Sequence, residues 1–189
     1  MTVMTERPKR TDLSGAAEFE ELCQALDRMD VPAGYQAEIV GGVIVVSPWS
    51  KGFCLDVMDS LAEQLKPHAP EGHRISQAPC LYVFPERLRG FGPDVHVAEA
   101  AATRIDSTRL PGEALSLVAE RDRSEKVESY GRAGVPVYVL VDMLVSRVVV
   151  YSRPSAEDGY RTAVETKFGE TAHVPAPFGC DIDTSDWES

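Results

Sequence analysis

The sequence predicts an α/β fold in which helices pack on the faces of a mixed sheet. Apolar residues recur at helical spacing over 16–29 and again over 53–65. Short runs rich in β-branched residues, such as those within 135–152, are typical of buried strands. Because hairpin, helix, strands, helix and strands follow one another, we expect a layered α/β arrangement. A chain of 189 residues is long enough for one compact domain and short for two.

Three helices are predicted. The first covers 16–29, the second begins at Phe53 and stops at Pro67, and the third covers 124–133 and is ended by Gly134. The predicted strands are a hairpin over 35–47 that turns at Gly41-Gly42, then 74–84, 94–98, 115–119, the two runs VPVYVLVD and SRVVVYS, and 160–166.

The chain ends differ in composition from the rest. Residues 1–14 combine charges with Pro8 and lack apolar periodicity, which predicts a flexible arm. Residues 15–184 form the predicted domain, and 185–189 a loosely held acidic tail. No apolar run approaches the ~20 residues that span a bilayer, and the N-terminus has no apolar segment typical of a secretory signal. We therefore expect a cytoplasmic protein without membrane contact.

The charge balance bears on the binding partners. Thirty acidic and nineteen basic side chains give a net charge of -11, which repels a polyanion at long range. This counts against a nucleic-acid substrate but does not exclude one, because phosphate contacts depend on the local surface. The four cysteines are scattered without a CxxC pair, which indicates free thiols rather than a zinc site.

Two carboxylates at strand ends form the candidate site. Asp94 follows Pro93 at the start of one predicted strand, and Glu120 ends the apolar run LSLVA. Two such carboxylates in one site need a cation, and Mg²⁺ (or Mn²⁺) accepts carboxylate ligands together with water and phosphate oxygens. Lys126, on the next helix, could support a metal-bound water in phosphodiester hydrolysis. On spacing alone, the pattern favours solvated charges at strand ends over a metal site.

Four segments in order along the chain carry a family resemblance, which covers about 35–152: YQAEIVGGVIVVSP, GPDVHVAE, LSLVAE and DRSEKVESYGRAGVPVYVLVD. They resemble the Uma-two family of restriction endonucleases in the PD-(D/E)XK superfamily. The resemblance implies a restriction-endonuclease-like mixed sheet flanked by helices and a divalent-metal nuclease acting on DNA. It implies Asp94 and Glu120 as metal ligands, Lys126 as the catalytic lysine, and Glu38 as a further acidic residue of the site.

The sequence departs from the family pattern at three places. Glu120 runs through Arg121 directly into Asp122, whereas relatives have a loop of several residues there, so the site is expected to be distorted or the segment incomplete. An alternative alignment puts Glu113 at the metal position, although Glu113 follows a turn. Relatives also carry a histidine near the second helix, where WSKGF stands here.

Other polar residues leave alternatives open. His96 alternates onto the same strand face as Asp94 and is either a ligand or a histidine hydrogen-bonded beside the site. Several basic residues either form a phosphate-contacting rim or are ordinary surface charges: Arg87, Arg89, Arg121, Arg123 and Lys126. Two functions follow, a DNA endonuclease or a catalytically degenerate member that binds or regulates. A homodimer is compatible with either function, and no segment identifies its interface.

Overall fold

The computed structural model describes residues 4–6, 15–49, 52–121 and 126–187. Within these residues the helices are α1 (Gly15–Arg28), α2 (Phe53–Leu65) and α3 (Lys126–Arg132). The strands, in chain order, are β1 (Met4–Glu6), β2 (Tyr35–Val40), β3 (Val43–Pro48), β4 (His73–Ser76), β5 (Leu81–Phe84), β6 (Arg89–Phe91), β7 (Val95–Glu99), β8 (Arg109–Pro111), β9 (Leu115–Glu120), β10 (Val137–Asp142), β11 (Arg147–Ser155), β12 (Gly159–Lys167), β13 (Thr171–Val174) and β14 (Cys180–Asp183).

The strands form two six-stranded sheets and a small ribbon. The first sheet has the order β1-β3-β2-β6-β5-β8, and the second has the order β12-β11-β10-β9-β7-β4. In the second sheet β9 and β10 are parallel, while β7 and β11 join this pair in antiparallel directions. Strands β13 and β14 pair with each other. The predicted mixed α/β fold is confirmed.

Each sheet has one face covered by a helix. On the first sheet, Phe19 and Leu22 of α1 pack against Ile39 and Ile44. On the second sheet, apolar residues of α2 such as Leu61 pack against β7, β9 and β10, and the β13–β14 ribbon joins the same core. The apolar stripe of each of these two helices therefore corresponds to its buried face.

A third apolar cluster lies where the two sheets and α3 meet. Tyr82 and Phe91 come from the first sheet, Val118 and Tyr138 from the second, and Tyr130 from α3. The Tyr130 ring lies 5.1 Å from the Phe91 ring and 5.7 Å from the Tyr138 ring, measured between centroids. This aromatic cluster joins the elements that carry the candidate site.

The observed boundaries differ from the predicted ones mainly at short elements. The helices begin and end within about two residues of the predictions, and the hairpin turns at Gly41-Gly42, both with positive φ. Strands β6, β8, β13 and β14 were not predicted. Met4–Glu6 of the predicted arm pairs with β3, and the remainder of that arm lies outside the described residues.

The C-terminal segment also differs from its prediction. Trp187 is only 3% exposed, and its indole nitrogen donates a hydrogen bond to Ser60 Oγ at 3.0 Å, so this part of the expected loose tail is packed. None of the helices in the described parts of the chain has the length and apolar character needed to cross a membrane.

Candidate active site

The register of β7 and β9 brings two of the predicted acidic residues together. Val95 pairs with Ala119 in the antiparallel ladder, so Asp94, one residue earlier, and Glu120, one residue later, lie next to each other. Val95 and Ala119 point into the core beneath α2. Because side chains alternate along a strand, Asp94 and Glu120 point to the opposite face, toward the aromatic cluster.

Glu38 reaches the same region from the first sheet. Its neighbour Ile39 on β2 packs against α1, so Glu38 points to the other face of that sheet. Glu38 is buried, and its Oε1 accepts a hydrogen bond from the backbone N–H of Gly92 at 2.8 Å. The two sheets thus face each other with an acidic residue on each side.

Lys126 bridges the two sheets from the first turn of α3. Its Nζ lies 2.9 Å from each carboxylate oxygen of Glu38 and 3.0 Å from Oε2 of Glu120. It also lies 5.9 Å from the centroid of the Phe91 ring. The short connection after Glu120 therefore still lets the lysine reach the glutamate, although residues 122–125 lie outside the described part.

The three charges are enclosed. The exposed fraction is 8% for the Lys126 side chain, 7% for Glu38 and 3% for Glu120. Burial alone lowers the pKa of the Lys126 ammonium, but the charges of Glu120 and Glu38 outweigh it and raise the pKa above its ordinary value. Lys126 is therefore a permanent cation at neutral pH and cannot serve as a general base.

The pKa of the Glu120 carboxyl is also raised above its ordinary value. Burial raises the pKa of its carboxyl; Lys126 opposes this rise, while the charges of Glu38 and Asp94 add to it. One ammonium cannot fully compensate two buried carboxylates with a third nearby. Tyr130 supports Glu120 by donating a hydrogen bond to Oε1 at 3.4 Å.

Asp94 has a different cationic partner, Arg121. The Arg121 backbone N–H and Nε donate hydrogen bonds to Oδ2 of Asp94 at 3.1 and 3.0 Å, and Nη2 donates to Oδ1. Burial alone lowers the pKa of Arg121, but the hydrogen bond and charge of Asp94 outweigh it and raise the pKa. Both Asp94 oxygens are therefore engaged.

The structure brings Glu38, Glu120 and Lys126 into direct contact and places Asp94 beside them. Among the described residues, no group of three or more His, Cys, Asp or Glu side chains is arranged to hold a metal ion. The alternative residue Glu113 is exposed in a turn of 3₁₀ helix before β9, outside this cluster. The geometry therefore favours Glu120 over Glu113 as the site residue.

The predicted arginine rim divides into separate roles. Arg121 and Lys126 are committed to carboxylates, as described above. Arg87 and Arg89 instead line a pocket with Glu128 and Arg132, and Arg123 lies outside the described residues. These basic residues therefore do not form one continuous surface within the described part of the chain.

His96 is buried next to Tyr82 rather than grouped with carboxylates. The two rings are 5.0 Å apart in an edge-on arrangement. Its Nδ1 is buried and finds no hydrogen-bond partner among the described residues. Burial, together with the positive charge of Arg74, lowers the pKa of His96 to about 4. This environment favours a structural role for His96, as a neutral imidazole, over a metal-binding role.

His96 should contribute a pH-dependent part of the stability. Since its folded-state pKa is below the ordinary unfolded value, this stability is present above pH ~6.5 and is lost as pH falls toward 4. Between pH 7 and pH 5 the loss should be about 2 kcal/mol. Urea unfolding of His96→Phe at the two pH values should show a pH dependence smaller by this amount. The exposed-site variant His68→Gln should behave like the wild type, and an unchanged pH dependence in His96→Phe would contradict the assignment.

Two contributors to the site were not identified from the sequence. Tyr130 follows Lys126 by four residues on α3, a spacing that places both on one helix face. The sequence predicts Arg121 as either a phosphate-contacting residue or an ordinary surface charge, because its contact with Asp94 depends on the β7–β9 register. The one sequence signal for this contact is the position of a basic residue directly after Glu120, at the end of a predicted strand.

The chain is similar to known proteins in sequence and in fold. A family model described as "Uma2: Putative restriction endonuclease" matches residues 16–185. The chain belongs to this family. A crystal structure of a "putative nuclease belonging to DUF820" from Anabaena variabilis is similar in fold, with a TM-score of 0.62 and 16% identity over 86% of this chain and 97% of that one. No curated protein matches the Uma2 chain described here.

Proposed function

We propose that this Uma2 protein is a metal-dependent endonuclease that hydrolyses DNA phosphodiester bonds. The observation that carries the proposal is the cluster in which Lys126 contacts Glu38 and Glu120 beside Asp94. An acidic pair on adjacent strands with a lysine over it is an arrangement suited to phosphodiester hydrolysis. Family membership supports the same reaction class.

The candidate ligands are carboxylate oxygens, a type of ligand that suits Mg²⁺ or Mn²⁺. Asp94 and Glu120 offer carboxylate oxygens on one face of the sheet, and Mg²⁺ is commonly held by one or two carboxylates plus water and substrate phosphate. Bound at these residues, the ion would polarise the phosphate and acidify a water molecule. Because both Asp94 oxygens accept hydrogen bonds from Arg121, a metal at Asp94 would either share these oxygens with the guanidinium or displace it.

The other residues of the cluster have separate roles in the proposed reaction. Lys126 supplies a fixed positive charge that stabilises negative charge developing on phosphate, since its raised pKa keeps it protonated. Glu38 and Tyr130 orient Lys126 and Glu120. The exposed fraction rises from 3% at Glu120 to 22% at Asp94, so the phosphate approaches from the Asp94 side.

A plasmid-nicking assay tests the proposal. Wild-type protein should convert supercoiled plasmid to the open circle with Mg²⁺ or Mn²⁺ and not with EDTA. Asp94→Asn should lower the rate by about 100-fold or more, because it removes the charge of a ligand. Asp106→Asn, a change at an exposed loop residue, should leave the rate unchanged. Absence of nicking with either metal, or full activity in Asp94→Asn, would refute the proposal.

A second candidate function is DNA binding without cleavage. The Arg121–Asp94 pair favours it, because a guanidinium already satisfies the carboxylate that would otherwise bind metal. This alternative expects a gel shift of duplex DNA by the wild-type protein together with no nicking. A protein that nicks the plasmid excludes it.

The cellular location and the oligomeric state remain predictions. The cytoplasmic location predicted from the sequence is testable by cell fractionation. The homodimer is testable by sedimentation velocity, in which a monomer at micromolar concentration would contradict it.

A further inference from the structure

Arg121 makes more hydrogen bonds to Asp94 than the partners of an ordinary surface ion pair make to each other. Its backbone N–H and Nε both donate to Oδ2, while Nη2 donates to Oδ1, so one residue engages both oxygens of the carboxylate. Planar guanidinium groups are well matched to this two-oxygen contact. The exposed fraction is 11% for Arg121 and 22% for Asp94, which shields the pair from water.

The position of Arg121 follows from the chain. It comes directly after Glu120 at the end of β9, and the β7–β9 register places Asp94 beside Glu120. A residue at position 121 can therefore return to Asp94 without crossing another element. Lys126 contacts Glu120 together with Glu38, and Arg121 contacts Asp94, so the two adjacent carboxylates have different cationic partners.

We infer that Arg121 competes with a divalent cation for Asp94 and thereby weakens metal binding at this site. The guanidinium uses lone pairs on both Asp94 oxygens, and its positive charge repels a metal ion at the same carboxylate, so each weakens the binding of the other. Removing the side-chain donors should therefore increase the affinity of the site by roughly 10- to 100-fold, the range that corresponds to charge-assisted hydrogen bonds. The inference rests on the site of the proposed nuclease but not on its catalysis.

Calorimetric titration with MnCl₂ alone, without DNA, tests the competition. Arg121→Gln should bind Mn²⁺ roughly 10- to 100-fold more tightly than the wild type. Arg121→Lys, which keeps the charge but loses the planar fork, should fall between them. Arg104→Gln removes an exposed arginine and should match the wild type. Circular dichroism verifies that each variant is folded.

Three outcomes overturn the inference. Arg121→Gln could bind Mn²⁺ no more tightly than the wild type, or neither protein could bind it. Alternatively, the tighter binding could persist in Arg121→Gln/Asp94→Asn, which would place the ion elsewhere. Failure of the nuclease proposal is distinguishable: tighter Mn²⁺ binding by Arg121→Gln without nicking by any variant leaves the competition intact, while nicking with equal affinities removes only the competition.

Discussion

Replacing Lys126 with methionine should destabilise the protein by about 3–5 kcal/mol at pH 8, because it leaves two buried carboxylates without their cation. The loss should be smaller at pH 5. The pKa of Glu120 is already raised by burial, and removal of the opposing lysine raises it further. A carboxyl with a raised folded-state pKa loses stability as pH increases from its unfolded value through its folded one. Urea unfolding at pH 5 and pH 8 measures the difference.

Two variants control this experiment. Arg132→Met removes a cation from the same helix, but Arg132 pairs with Glu128 at the surface, so the change should cost less than about 1 kcal/mol at either pH. Glu120→Gln/Lys126→Met removes one buried charge together with the lysine and should recover part of the loss. Equal destabilisation of Lys126→Met at both pH values would show that no carboxylate of the cluster takes up a proton between pH 8 and pH 5, which contradicts the raised pKa of Glu120.

Changing Gly131 to alanine should destabilise the protein by about 3 kcal/mol or more, because α3 lies directly against the backbone of β12. A Cβ atom at Gly131 would lie 2.4 Å from the carbonyl carbon and oxygen of Gly159 and 2.7 Å from Cδ2 of Tyr160. Backbone atoms cannot rotate away, so α3 must shift. Such a shift would also move Lys126 and Tyr130, which lie on the same helix.

Thermal and urea unfolding measure the effect of Gly131→Ala. The same substitution at Gly15, in α1, meets nothing within 4 Å and should change stability by no more than about 0.5 kcal/mol. A Gly131→Ala variant as stable as Gly15→Ala would show that α3 does not pack closely on β12.

The long, strongly patterned elements could be predicted from the sequence. Helices α1 and α2 show one apolar stripe each, and the runs that form β10 and β11 are continuous and β-branched. The three-residue strands β6 and β8 are too short for an alternating pattern to emerge. The β13–β14 ribbon depends on packing against α2 and the second sheet. No local sequence pattern predicts that packing.

The candidate site could be predicted only in part. Asp94 and Glu120 stand out as acids at the ends of apolar strands, and the structure places them side by side. Glu38 came from the family resemblance, because an acid within a hairpin has no local signal of burial. The pairing of Arg121 with Asp94 depends on the register of β7 against β9, and strand register is a tertiary property.

The most direct test of the site is single-turnover cleavage of a labelled DNA duplex by Glu120→Gln with Mn²⁺, compared with the wild type. Glutamine keeps the size of the side chain and a carbonyl oxygen that can accept the Lys126 hydrogen bond, so stability should change by no more than about 1 kcal/mol. Glu128→Gln, an exposed change on α3, is the matched control. If Glu38, Glu120 and Lys126 form a catalytic cluster, the cleavage rate of folded Glu120→Gln should fall by about 100-fold or more while Glu128→Gln cleaves normally. Cleavage at the wild-type rate by folded Glu120→Gln would show that the buried cluster only stabilises the fold.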